Sequence, residues 1–180
     1  MSSPALCVFC GSSVGASARI TDAGRELGAL LAARNIELVY GGGGRGLMAT
    51  VADAVLENGG RVTGVIPRDM VEREWAHAGL TELIVVDSMH ERKAAMSLRA
   101  SAFAALPGGI GTVDEFFEAY TWWQLGLHDK PCGLLNVDGY FTGLLTFLDH
   151  MVATEFLPAR HRAGLHVART PAALLESLRM

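Results

Sequence analysis

Cysteine, lysine, positive charge and long apolar runs are all scarce in this chain of 180 residues. The three cysteines, Cys7, Cys10 and Cys132, form an odd and small set. With no export signal in view, that set predicts reduced thiols rather than a disulfide framework. Cys7 and Cys10 stand in a C-x-x-C, a spacing used by redox and metal sites. However, "ALCVFCG" reads as a buried strand, and residues three apart on a strand point to opposite faces. The two thiols are therefore expected to diverge. The six histidines show no ligand spacing such as H-E-x-x-H, so no metal is expected. No segment approaches the roughly 20 apolar residues of a membrane span. "MSSPALCVFCGSS" carries no basic leader. The formal charge is −4 and the arginines are scattered, so the basic stripe of a nucleic-acid binder is missing. The expectation is a cytoplasmic protein that engages neither membrane nor nucleic acid.

What the chain has is apolar residues, half of the total, with a mean hydropathy of +0.27. One domain over residues 1–180 with a sizeable core is expected, and the richness in apolar residues points to further buried surface such as a subunit interface. Short apolar runs alternate with amphipathic stretches. Strands are predicted at 5–11, 36–40, 61–66, 81–86, 102–106, 131–136 and, more weakly, 165–169. Helices are predicted at 17–34, 47–60, 88–100, 113–127 and 139–153, and from Pro171 onward. This alternation implies parallel strands joined by crossover helices, hence an α/β, Rossmann-like, doubly wound sheet flanked by helices. Ligands bind such sheets at the carboxyl ends of the strands.

Two glycine corners follow strands and open helices, so both belong on that edge: "YGGGGRGLM" at 40–48 and "LPGGIGTVDEF" at 106–116. Helix N-termini carry unpaired N–H groups and partial positive charge, and glycine lets an anion come close. Together the corners predict one phosphate-binding cleft; singly, each is also explained by a tight turn. Gly41, Gly43 and Gly46 formally match G-x-G-x-x-G, the dinucleotide fingerprint, but the next strand ends at Pro67 and not in the acid that would hold a ribose. Thr112 and Glu115 also read as a capping box, which would make Glu115 structural. The helix that follows, with Phe116, Phe117, Tyr120, Trp122, Trp123 and Leu125, is apolar nearly all round. It requires cover on more than one side, from a partner in a two-fold dimer or from the chain's own C-terminal helices.

The segments "CVFCGSS", "LVYGGGGRGLM", "GVIP", "MHERKAAM", "LPGGIGTVDE", "TWWQLGLHDKP" and "LLNVDGY" resemble, in order and spacing over roughly residues 5–175, the Lonely Guy family of cytokinin riboside 5′-monophosphate phosphoribohydrolases. That family was long labelled as possible lysine decarboxylases. The resemblance implies a Rossmann-like homodimer, without cofactor or metal. It would hydrolyse the N-glycosidic bond of adenosine-type 5′-monophosphates to a free base and ribose 5-phosphate. It also implies that Arg92 of "HERK" and Glu115 of "PGGIGTVDE" form the catalytic pair. Glu74, Lys93, Gly109, Ile110, Gly111, Thr112, Val113, Asp114 and Thr121 would bind substrate, with Met89 beside them, while the glycine corners themselves assign Gly41, Gly42, Gly43 and Gly108 to the expected phosphate loops. Ser101, Ala104 and Ile110 depart from the family pattern, which has an acid, a larger residue and an aromatic there.

The residues suit that chemistry. Breaking a ribosyl C–N bond builds positive charge on the sugar, which a carboxylate stabilises, or it activates water, as in glycoside hydrolysis. Asp114 points about 100° from Glu115 around a helix, so the two are not a facing pair. Arg92 stays protonated and serves as a fork for oxygens rather than as an acid; without the resemblance it would read as a surface partner of Glu91. Two other function classes stay open, a non-catalytic nucleotide-binding module and a nicotinamide oxidoreductase. A pyridoxal-phosphate decarboxylase needs a Schiff-base lysine, and only Lys93 and Lys130 are present.

Overall fold

Residues 5–9, 37–40, 62–67, 82–86, 102–105, 132–135 and 165–168 are strands because each is a short apolar or β-branched run bounded by turn residues. In the computed structural model, which describes residues 4–73 and 75–180, they are β1 (Ala5–Phe9), β2 (Glu37–Tyr40), β3 (Val62–Pro67), β4 (Glu82–Val86), β5 (Ala102–Ala105), β6 (Cys132–Leu135) and β7 (Leu165–Ala168). The helices are α1 (Ala18–Ala33), α2 (Gly46–Glu57), α3 (Arg68–Glu72), α4 (Met89–Arg99), α5 (Ile110–Gln124), α6 (Thr142–Ala153), α7 (Ala159–Ala163) and α8 (Pro171–Ser177). All seven strands lie in one parallel sheet of order β4-β3-β2-β1-β5-β6-β7. The chain winds outward from β1 in one direction and, from β5, in the other. The loops after β1 and β5 therefore part, and a crevice opens at the carboxyl edge where the order reverses.

Both faces of the sheet are covered. Leu6, Val8, Leu38 and Tyr40 pack against Leu27, Leu31, Val51 and Leu174 on the α1–α2–α8 side. Cys7, Phe9, Phe103 and Leu134 pack against Met96, Phe116, Tyr120 and Leu148 on the α4–α5–α6 side. Alternation along β1 thus sends Cys7 to one layer, while Cys10 packs against the other, the divergence expected of the C-x-x-C. Burial raises all three thiols, Cys132 to about 12, and keeps them protonated and inert. At the opposite edge of the sheet, Arg99, the last residue of α4, bonds Glu37 at 3.1 Å and Glu82 at 2.7 Å. The hydroxyl of fully buried Thr63 donates to the same Glu37 at 2.6 Å.

The differences from the sequence reading have local causes. Helices α3 and α7 are five residues each, too short to show a period. Helix α5 starts at Ile110, with Gly109 as its N-cap, because the first-turn N–H groups are unpaired in any helix and the glycines there cost little. One side of α5 is covered by the chain itself. Trp123 stacks on Tyr120 and meets His161 edge-on, and the Tyr120 hydroxyl donates to the His161 carbonyl at 2.6 Å. Leu98, Leu125 and Leu127 on the α4–α5 side stay open to solvent. Among the described residues, no helix is long and apolar enough to cross a membrane.

Candidate active site

Two helices bring the key side chains together. Helix α4 is capped by Ser88, whose hydroxyl accepts from Glu91 N at 3.2 Å, while the Glu91 carboxylate accepts from Asp87 N at 2.9 Å. With the helix start fixed in this way, Arg92 turns inward, and the residue is only 7% exposed. Helix α5 carries Glu115 one turn beyond its glycine start. Arg92 Nη2 and Glu115 Oε1 lie 3.4 Å apart, with the side chains 9% and 12% exposed. Burial raises the Glu115 carboxyl above its usual range, against the opposing pull of Arg92 and then of Lys93. A buried carboxylate kept this close to a guanidinium is the kind of perturbed pair found at functional sites. Among the described residues, Arg92 Nε is buried and has no hydrogen-bond partner.

The first glycine corner exists around this arginine. A Cβ on Gly41 would stand 1.7 Å from Arg92 Nη2 and 2.9 Å from Met48 Cε; glycine lets the chain leaving β2 pass this close. Gly42 adopts φ +73°, a left-handed turn that other residues resist. The second corner is equally tight at Gly108, where a Cβ would lie 2.1 Å from Thr112 Oγ1 and 2.7 Å from Gly11 N. Gly11 N donates to the Pro107 carbonyl at 3.1 Å, tying the loops after β1 and β5 together at their roots.

Two adjoining cavities meet at Arg92. One, of about 200 Å³, is bounded by Gly11, Gly109, Gly111, Thr112, Glu115 and Arg92. The other, of about 410 Å³, lies over β2 and β3 and is walled by Met48, Ile66, Met70 and Trp75. Its segment 75–77 is laced to the first glycine loop: Gly44 N donates to the Trp75 carbonyl at 2.9 Å and His77 N to the Gly42 carbonyl at 2.9 Å. A polar niche at a helix N-terminus thus opens directly into an apolar chamber.

Most sequence-selected residues converge here. Gly41, Gly43, Arg92, Gly109, Gly111, Thr112 and Glu115 line the two cavities, Gly42 and Gly108 shape the loops, and Met89 lies with its sulfur 3.6 Å from Arg92 Nη1. Val113 is half-buried in the first turn of α5, and Ile110 is 86% exposed at the rim. Lys93 is engaged elsewhere, bonded to Asp114 at 2.8 Å and Glu118 at 2.5 Å, an arrangement that bolts α4 to α5. Thr121 is exposed farther along α5 and lines neither cavity. Glu74 lies outside the described residues. Two alternatives are corrected. Thr112 is the third residue of α5 rather than its cap, and Glu115 reaches Arg92 instead of the backbone, so no capping box forms. Arg92 is buried rather than paired with Glu91 on the surface. Neither lysine is free as a cofactor anchor, since Lys130 Nζ donates to the Ser97 carbonyl at 2.6 Å. Sequence reasoning missed Ser12, Met48, Ile66 and Trp75. The run of a strand into "CGSS" signalled a third corner at Ser12, whereas nothing periodic marks Trp75.

The chain matches a family model described as "Possible lysine decarboxylase" over residues 48–178. The probable cytokinin riboside 5′-monophosphate phosphoribohydrolase LOGL6 of Oryza sativa subsp. japonica is 51% identical over 173 residues, covering 96% of this chain and 69% of that protein. The cytokinin riboside 5′-monophosphate phosphoribohydrolase LOG4 of Arabidopsis thaliana is 48% identical over 173 residues, covering 96% of this chain and 80% of that one. The molybdenum cofactor carrier protein of Chlamydomonas reinhardtii superposes with a TM-score of 0.76, covering 99% of this chain and 97% of the other at 21% identity, a likeness of fold alone. With a family match over more than half its length and relatives at about half identity along nearly all of it, this chain belongs to the possible lysine decarboxylase family, alongside proteins named cytokinin riboside 5′-monophosphate phosphoribohydrolases.

Proposed function

We propose that this chain hydrolyses the N-glycosidic bond of adenosine-type nucleoside 5′-monophosphates, plain or N6-prenylated, to release the free base, adenine or a cytokinin, and ribose 5-phosphate. The observation that carries this reading is the buried Arg92–Glu115 pair at the switch point. It stands beside the open N-terminus of α5, and among the described residues Arg92 Nε has no hydrogen-bond partner. The 5′-phosphate docks on the amides of Gly109, Ile110, Gly111 and Thr112. This places the ribose over Glu115 and sends the purine toward the chamber of Met48, Ile66, Met70 and Trp75. Glu115 stabilises the cationic sugar as the bond to the purine lengthens and takes a proton from the incoming water, which adds to the anomeric carbon. Arg92, always protonated, fixes ribosyl oxygens and offsets the negative charge that builds on the departing base. The departing base takes up one proton while Glu115 gives up the one it took from water, directly or through solvent, so that one water is consumed and the carboxylate is restored. Binding energy from the remote phosphate positions the sugar for attack.

The reading includes a cytoplasmic homodimer that closes the open α4–α5 face, where Leu98 is 87% and Leu127 70% exposed. Incubation of the protein with AMP or its N6-prenylated analogue, followed by chromatography for free base, tests the chemistry. Adenosine turns over far more slowly than AMP, and E115Q releases no base while retaining the fold. Binding of nucleotide with no base released would leave a non-catalytic module. Sedimentation of the wild type against L98E tests the dimer.

A further inference from the structure

We propose that Tyr140 is a positioning residue for recognition of the substrate's 5′-phosphate, acting by locking the orientation of the peptide between Gly108 and Gly109. The inference rests on the function proposed above. The Tyr140 hydroxyl donates to the Gly108 carbonyl at 2.5 Å. In a trans peptide the C=O and the following N–H point in opposite directions. Holding the Gly108 oxygen toward Tyr140 therefore aims the Gly109 N–H away from it. Tyr140 borders the cavity on the β6 side of the loop, while Gly109 also borders the niche that contains Glu115.

This peptide is the one most in need of a lock. It has glycine on both sides, so neither flanking residue resists a flip by steric means. A flip would turn a carbonyl oxygen, the negative end of the peptide dipole, toward an incoming anion and remove an N–H from it. The preceding peptide is already held, since the Pro107 carbonyl accepts from Gly11 N at 3.1 Å. Tyr140 holds the next.

The tyrosine is itself presented by a built turn. Asp138 and Gly139 both adopt left-handed backbone, φ +52° and +72°. Asp138 accepts from the Ser17 hydroxyl at 2.6 Å and from Arg19 at 3.1 Å, which ties the turn to the start of α1. Behind it, Phe141 is buried and meets the Tyr140 ring edge-on at 5.0 Å. Its N–H donates to Asn136 Oδ1 at 2.7 Å. The hydroxyl thus arrives at Gly108 from a loop fixed at both ends.

The test is Y140F, which removes one oxygen from a half-exposed side chain and leaves the packing on Phe141. With the lock gone and about nine in ten free molecules holding this peptide flipped, KM for AMP and the dissociation constant of ribose 5-phosphate rise by about tenfold. The turnover number stays within about threefold, and adenine binding, measured as product inhibition, is unchanged. Unchanged ribose 5-phosphate affinity, or equal weakening of ribose 5-phosphate and adenine, overturns the proposal. Calorimetry with ribose 5-phosphate separates this from the functional reading. If the wild type binds the sugar phosphate but cleaves no nucleotide, hydrolysis falls and Tyr140 is still decided by the binding comparison. If the wild type does not bind it, both fall.

Discussion

Gly111→Ala separates the demands of the fold from those of the ligand. A Cβ built on Gly111 has no atom within 4 Å, and its φ is not left-handed. The residue sits in the first turn of α5, where alanine is the better helix former. Reducing the freedom of the unfolded chain at a compatible site adds about 0.4–1 kcal/mol of stability, which for a chain of this size is a rise of roughly 1–4 °C in Tm. Among the described residues nothing gives a reason for glycine. On the proposed reading the reason lies in what approaches the backbone, and a methyl group there would stand where the phosphate docks. Losing or lengthening one amide–phosphate hydrogen bond, worth about 1.5–3 kcal/mol, weakens binding roughly 10- to 150-fold. Differential scanning fluorimetry and steady-state kinetics on AMP are therefore expected to move in opposite senses, with Tm up and KM up. A variant with raised Tm and the wild-type KM would refute the docking of phosphate on this turn.

Three further outcomes follow from the geometry. Gly41→Ala forces the Arg92 guanidinium aside, since a Cβ there lies 1.7 Å from Nη2. A displacement on the order of 1 Å lowers kcat/KM by about 100-fold with circular dichroism unchanged, and full activity would show that Arg92 need not hold this position. Lys93→Met removes a cation that favours ionisation of Glu115. The acidic limb of the kcat/KM profile then moves to higher pH, because the carboxylate needed for catalysis becomes harder to form; a limb that stays put or moves down contradicts this. Gly28→Val drives α1 from α2, where even a Cβ would lie 2.6 Å from Ala54 Cβ and 2.8 Å from the Val51 carbonyl. Overpacking of about 1–3 kcal/mol lowers Tm by roughly 2–4 °C per kcal/mol, read by thermal unfolding.

The sheet was legible because each strand is a short apolar run between turn residues and each long helix shows its period. Helices α3 and α7 were not, since five residues hold barely more than one turn. The glycine corners announced the ligand edge without revealing why each glycine is there. That Gly41 makes room for Arg92 depends on a side chain 51 positions away in sequence, a distance no local pattern spans. Thr112 and Glu115 fit a capping box by spacing, and the pattern misled because Gly109, not Thr112, ends the extended chain. The apolar chamber around Trp75 was invisible for a related reason. Its named walls, Met48, Ile66, Met70 and Trp75, come one each from α2, β3, α3 and the segment after α3, so no local pattern joins them.

The ion cluster at the foot of α4 has a bearing on how this scaffold diversifies. Arg99 moors that helix to β2 and β4 through two carboxylates, and Lys93 fastens its head to α5. The post that carries the Arg92 guanidinium is pinned at both ends, so the geometry that the proposed cleavage needs is held while other parts of the chain change.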